Sequence, residues 1–334
     1  MNEFTFGVLT YNSEPTVIET LESIKYQIEN HGYGIKFYLI ISDDCSEDNT
    51  VYLVNKWVIK NKKFFDDVKI LSTSVNSGVC VNYALLINSI QTEFFIQIAG
   101  DDLICSSNIF ESMSDIGPNE IRIHMPILYN GEQVAISDDD IARQLFYKDY
   151  KHSNKKDIHI LETVIPYCSA EITFRKKNYT LDCMEYIKQF RNFEDDTSLY
   201  YILCNNKEAV FSFCMQPLII YRRSGDSLTT SVDSASQIIF LDDLYRFRRY
   251  TLKNEKHLPT KLFIALSVWH YFLMKHRFNA SKTLYKKIKC HIDKKRIGLG
   301  KENPKFINYK RKMELFIQDE EQYLKQLKAN SKDF

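Results

Sequence analysis

The chain opens on an apolar run, Phe4 to Thr10, of the length of a buried strand. Behind Ser13 and Pro15, both good helix-start residues, Val17, Leu21, Ile24 and Ile28 recur at helical spacing and predict a helix from Glu14 to Gln27. The alternation then repeats: a strand from Lys36 to Ser42, a helix from about Glu47 to Lys60 and a strand from Val68 to Ser72. After the loop Val75-Asn76-Ser77-Gly78 come a helix to about Ile90 and a strand from Glu93 to Ala99. Strands alternating with helices at this spacing predict an α/β fold, a mostly parallel sheet with helices on both faces. Ligands on such sheets bind beyond the carboxyl ends of the strands. All four of those ends are polar here: Thr10-Tyr11-Asn12, Asp43-Asp44, Asn76-Ser77-Gly78 and Gly100-Asp101-Asp102.

Past residue 103 the pattern is more irregular. It predicts strands around Ile121 to Leu128 and Ala170 to Phe174, a helix starting near Asp196, and a strand-like stretch from Ala209 to Tyr221. From about Ser236 the chain reads helical, with LFIALSVWHYFLM as a buried core helix and a basic helix near Ser281 to Lys289. The expected organisation is therefore a domain over 1–235, divided into 1–103 and 104–235, followed by a helical region over 236–334.

Composition adds a charge asymmetry. The formal net charge is only +1, yet residues 1–240 hold 21 basic and 33 acidic side chains while residues 241–334 hold 23 and 10. Two functional zones are expected. With 44% apolar residues, 10 Gly and 7 Pro in 334, the chain has material for a sizeable core, and a disordered or collagenous reading is excluded. The eight cysteines show no CxxC pair and are expected to be reduced and mostly buried. The first residues lack a secretory signal, and the longest apolar stretch, Leu262 to Met274, is too short to span a bilayer, so a cytoplasmic protein is expected.

Candidate chemistry sits at the strand ends. GxGxxG after the first strand and GxxxxGK[ST] anywhere are both missing, which removes most of the case for nicotinamide and P-loop chemistry. Adjacent carboxylates such as Asp101-Asp102 at a strand end suit a hard divalent cation that also holds substrate phosphates, although a solvated Asp-Asp turn has the same residues. Asp43-Asp44 could equally cap the next helix. His152, His159 and His270 have no ligand-like spacing with acidic partners.

The series LTYNSEPTVIETLESI, LIISDDCSEDNT, NSGVCVNYAL and TEFFIQIAGDD resembles, in order and spacing, the inverting family 2 glycosyltransferases of GT-A fold over residues 4–103. Further on, YCSAEITFRK resembles the acceptor-side strand of that family, NFEDDTSLYYIL its acidic helix start and YRRSGDSLT a late basic segment. The resemblance implies a Rossmann-like nucleotide-sugar domain. Thr10, Tyr11, Asn12, Asp43, Asp44, Asn76 and Gly78 would form the nucleotide side, with the Tyr11 ring as a face and Asp43 accepting from the base. Asp101 and Asp102 stand at the metal-binding DxD position for Mn²⁺ or Mg²⁺, one towards the ribose and one on the metal, with Asp102 favoured on the metal and Asp101 also counted on the nucleotide-sugar side. Here Ala99 replaces the usual first Asp, and Leu9 replaces the usual Pro before TYN.

An inverting transfer needs a base to deprotonate the acceptor hydroxyl. Glu194, Asp195 and Asp196 are candidates, with Asp196 first by the register of the apolar residues behind it and Asp195 second. Arg222 and Arg223 would face the diphosphate. The implied reaction moves a sugar from a nucleotide-diphosphate donor, UDP-linked by expectation, to a hydroxyl. By analogy it belongs to bacterial O-antigen or capsule assembly on a lipid-linked acceptor. Residues 261–311, with 14 Lys and Arg against Asp293 and Glu302, are expected to lie against anionic lipid at the inner face of the cell membrane. Two alternatives stand beside this reading: a catalytically degenerate nucleotide-binding protein of the same fold, and a basic nucleic-acid binder.

Overall fold

The computed structural model describes residues 1–149, 171–223, 234–256, 258–276, 283–332 and 334. The alternation read from the first hundred residues is realised as β1 (Glu3–Thr10), α1 (Val17–His31), β2 (Lys36–Asp43), α2 (Thr50–Asn61), β3 (Asp67–Ser72), α3 (Val79–Ser89) and β4 (Phe95–Ala99). These strands form one wholly parallel sheet in the order β3-β2-β1-β4, with Thr10 opposite Asp43, Asp43 opposite Ser72, and Leu9 opposite Ala99. Strand alternation explains the layering. Phe4, Phe6 and Val8 of β1 enter a core with Leu21 and Ile24 of α1 and Trp57 of α2, while Leu9 joins Tyr83, Leu86 and Ile87 of α3 on the other face. Helices thus cover both faces, as the spacing implied.

The middle of the chain is more divided than its sequence implies. β5 (Leu103–Ile104), α4 (Ile109–Ser114), β6 (Glu120–Ile123), β7 (Ile127–Tyr129), β8 (Val134–Ala135) and α5 (Asp138–Asp149) follow in order. Next are β9 (Ile172–Thr173), α6 (Leu181–Ile187), α7 (Glu194–Asn205), β10 (Val210–Phe213) and β11 (Ile219–Arg222). The strand expected over 121–128 is two strands, and that over 209–221 is also two, because each half pairs in a different sheet, β10-β6-β9 or β5-β11-β7-β8. His152, His159, Cys168, Gly225 and the last residues of YRRSGDSLT lie outside the described residues.

The remaining chain is helical: α8 (Ser234–Asn254), α9 (Leu258–Lys275), α10 (Leu284–Lys301) and α11 (Phe306–Ser331). It packs back on the parallel sheet domain, where Tyr323 of α11 donates to the Ile104 carbonyl (3.1 Å) and Glu320 accepts from the Ser106 N–H (2.9 Å) and hydroxyl (2.6 Å). Two expectations need correction. LFIALSVWHYFLM is not a buried helix: α9 buries Thr260, Ile264, Ser267 and His270 and leaves Leu258, Leu262 and Trp269 exposed. The cysteines are not mostly buried either. Of the seven described, Cys80, Cys105 and Cys183 are buried, Cys204 and Cys290 exposed, and all seven are free thiols.

Candidate active site

At the carboxyl edge of the sheet, the end of each strand is bonded to its neighbour. Asp44 N–H donates to the Thr10 carbonyl, Gly100 N–H to Leu9 and Thr73 N–H to Asp43. The order β3-β2-β1-β4 reverses direction between β1 and β4, which is where ligands settle on open parallel sheets. Gly100 allows the two strand ends to approach there. A Cβ on it would lie 2.9 Å from Thr10 Cγ2 and 3.0 Å from Ser13 Oγ.

The structure brings Thr10, Tyr11, Asn12, Asp43, Asp44, Asn76 and Gly78 to this one edge, with separate tasks. Asp43, 1% exposed, accepts from the Thr10 hydroxyl (2.8 Å), the Ser46 N–H (2.8 Å) and the Ser46 hydroxyl (2.5 Å). Asn12, in the left-handed region at φ 48°, receives the Glu47 N–H and donates its own N–H to Ser46. Beside them Tyr11 leaves its ring 47% exposed. Asp44 serves the next loop: it accepts from the Ser77 and Gly78 N–H groups, both at 2.8 Å, and from the Thr73 hydroxyl.

Asp101 and Asp102 follow Gly100, and the Asp102 carboxylate, 3% exposed, accepts from the Arg222 N–H at 2.8 Å. Burial, then the neighbouring Asp101 charge, pushes the Asp102 carboxyl well above the usual range. Burial raises Asp101 too, against the pull of Arg222, and Asp101 is the more exposed of the pair. The Arg222 guanidinium is committed to structure: it binds Glu19 (2.7 Å) and the Asp101 carbonyl (2.7 Å) and lies over the Tyr129 ring. Arg223 is exposed. Among the described residues no group of three or more His, Cys, Asp or Glu is placed to hold a metal ion.

The acidic turn Glu194-Asp195-Asp196 opens α7 and reaches the edge through α3. Cys80 N–H donates to the Arg191 carbonyl, Phe193 N–H to Cys80 Sγ, and the Arg191 guanidinium to Asn76 Oδ1 at 2.6 Å. Gly78, at φ 90°, makes room, since a Cβ there would meet Arg191 Cγ at 2.4 Å. The turn is held from the other side by Asp243 of α8, buried, whose carboxylate accepts from the Arg191 (2.8 Å) and Asn192 (2.9 Å) N–H groups. Burial raises the Glu194 and Asp196 carboxyls. Asp196 feels the charges of Arg248 and Lys289, on the C-terminal helices, whereas the charges of Glu194 and Asp195 are felt by Cys80, Tyr83 and Tyr179. A cavity of about 590 Å³ opens beside the turn, lined by Ser77, Arg191, Ile239, Asp242, Asp243 and Arg246.

Sequence reasoning missed Arg191, Asp243 and Glu19. Asp242-Asp243 did carry a signal: an acidic pair inside a basic region, set between the buried Leu241, Leu244 and Phe247.

Residues 5–115 match the model of Glycosyl transferase family 2. No curated protein matches the chain. Among solved structures, the 1–349 fragment of S. aureus TarS in complex with UDP-GlcNAc is similar at 18% identity and a TM-score of 0.58, over 88% of this chain and 79% of that one. The same fragment in complex with UDP gives 17% identity and 0.56 over 98% and 92%. Against a longer TarS chain the identity is 18% and the TM-score 0.55, and the present chain spans 44% of its length. With the four-stranded parallel sheet and its polar edge, these matches show that residues 5–115 are similar to family 2 glycosyltransferases and that the chain shares the fold of the TarS fragment.

Proposed function

We propose that the chain transfers a sugar from a UDP-linked donor to an acceptor hydroxyl with inversion at the anomeric carbon. One observation carries this reading: the nucleotide-side residues, the Asp101-Asp102 pair and an acidic helix turn share one sheet edge, joined through Asn76 and Arg191. The similarity to a TarS fragment crystallised with UDP and with UDP-GlcNAc supports the choice of donor nucleotide.

On this reading Tyr11 covers one face of the base, and Asp43, oriented by Thr10 and Ser46, keeps lone-pair capacity for a base N–H. Asp101 and Asp102 would hold Mn²⁺ or Mg²⁺. Two adjacent carboxylates with raised pKa, one buried and one half-buried, are a set that a hard cation relieves, and such ions take one or two carboxylates plus phosphate oxygens. The cation, when bound, supplies Lewis-acid stabilisation of the departing diphosphate. Exposed Arg223 is the basic group available to phosphate, while Arg222 fixes the end of β11 beside the carboxylates.

The base is drawn from the acidic turn. Of the two aspartates, Asp195 is favoured because Asp196 is compensated by Arg248 and Lys289, while the charge of Asp195 is felt by Cys80 on α3. This reverses the order suggested by the apolar register. The adjoining cavity, of a size usual for small-molecule sites, gives room on the acceptor side. The biological setting proposed is surface polysaccharide assembly on a lipid-linked acceptor at the cytoplasmic side of the membrane.

The test is a thermal-shift panel of UDP-, GDP-, dTDP- and CDP-sugars, each with Mn²⁺ and with EDTA, followed by donor turnover. A metal-dependent shift restricted to UDP-sugars is expected. A shift with another nucleotide alone would reassign the donor, and binding without turnover on any acceptor would favour the degenerate reading.

A further inference from the structure

α9 packs inside the molecule through a mostly polar stripe and leaves an apolar one outside. Thr260, Ile264, Ser267 and His270 form the buried stripe, held against α10 by His270 on Thr283 (2.8 Å) and by its ring beside Tyr285. Leu258, Leu262, Ala265 and Trp269 follow at i, i+4, i+7 and i+11, the opposite side, and all four are exposed: Leu258 66%, Leu262 60% and Trp269 58%. The Trp269 ring stacks on Phe272 (centroids 5.6 Å apart), which makes a continuous aromatic surface. An apolar helix face is normally enclosed. This one is not.

The charge of this helical region points to its cover. Lys261 on α9 and Lys286, Lys287, Lys294 and Lys295 on the adjoining α10 are exposed, as are Leu284 and Leu299. Among the described residues of 258–301 the single acid, Asp293, is bound by Arg143 (2.9 Å). An exposed apolar and aromatic stripe with Lys261 on the same helix, in a helical region whose exposed charges are lysines, matches the interface of an anionic bilayer, where acyl chains take the stripe and headgroups take the ammonium groups. A second copy of the chain would set two basic surfaces face to face, and a nucleic-acid backbone would leave Leu258 and Leu262 in water. No helix among the described residues is long and apolar enough to cross a membrane, so the contact lies along the surface.

We infer that α9, through Leu258, Leu262 and Trp269, and the lysines of α10 form a docking surface for an anionic lipid bilayer. The inference is independent of the donor and of the chemistry at the sheet edge.

The two tryptophans make it directly measurable, because Trp57 is fully buried and bonded to Glu22 while Trp269 is exposed. The experiment titrates the full chain at low salt with vesicles of phosphatidylglycerol and phosphatidylcholine, or of phosphatidylcholine alone, and reads tryptophan emission and co-sedimentation. Anionic vesicles should shift the Trp269 emission to the blue, and brominated acyl chains should quench it. Leu262→Glu should abolish the shift. Lys286→Glu with Lys287→Glu should weaken binding by roughly tenfold or more. These positions are exposed, and unchanged circular dichroism and melting temperature confirm that the variants fold. No shift with anionic vesicles, equal binding to phosphatidylcholine alone, or a blue shift that follows protein concentration without lipid would overturn the proposal. So would RNA binding tighter than vesicle binding and unaffected by Leu262→Glu.

Discussion

The sheet edge and the acidic turn meet at one place but are built in different ways. At the edge, Thr10 reaches Asp43, Asn12 reaches Ser46, and Asp44 reaches Ser77 and Gly78, each across to the next strand's end. Those partners follow from the parallel register itself. The turn before α7 depends on Asp243, 52 residues downstream of Arg191, and on Asn76, 115 residues upstream. Strand ends are thus arranged by the sheet, whereas the acids are arranged by docking between α3 and α8. The first arrangement survives local change; the second rests on a few buried contacts.

The largest test of that contrast is Asp195→Asn against Asp196→Asn. Removing the base should lower turnover by about 10²–10⁴-fold with UDP binding kept. Asp195→Asn should show that loss and Asp196→Asn a much smaller one. Steady-state turnover with calorimetric UDP binding reads both, and the opposite ranking would return the base to Asp196.

A second contrast is in pH. Burial, countered only in part by its bonds to Ser106, pushes Glu320 up to about 7 where α11 docks. A raised carboxyl favours folding while protonated, so its contribution is full below its unfolded value near 4.5 and is lost as pH rises through about 7. Stability should fall across that window by on the order of 3 kcal/mol. Glu320→Gln should flatten the dependence, and melting curves between about pH 5 and pH 8 would show whether it does.

Gly78→Ala loads the junction of the two regions. It places a Cβ on a residue at φ 90° and against Arg191, and should cost about 1–3 kcal/mol in stability by denaturant unfolding. The smallest effect, and the most specific, is expected of Asp243→Asn. With the turn less firmly held, turnover should fall about tenfold while UDP affinity stays within about twofold. Equal losses of both would mean that Asp243 supports the whole edge rather than the turn.

Much of the edge was legible in the chain. Phe4, Phe6 and Val8, the spacing of Val17, Leu21 and Ile24, and the four polar strand ends carry their own local instructions, since period and turn chemistry are properties of short segments. The short middle strands were harder to read. β6 and β7 lie three residues apart and enter different sheets, a choice made by their partners and not by their own pattern. α9 was misread for a similar reason: its composition matches a buried helix, and burial depends on what stands opposite.

By itself, then, the sequence determined the α/β alternation, the parallel edge and the kinds of groups gathered there, because hydrophobic periodicity and strand-end polarity act over a few residues. Only the tertiary structure decided that Arg222 is bound to Glu19 and not open to a phosphate, and that Asp44 orders a loop. It likewise decided that Asp196 is compensated by Arg248 and Lys289 and that one side of α9 remains exposed. Each of these depends on which distant donor, charge or surface arrives within a few ångströms, and that is settled by packing.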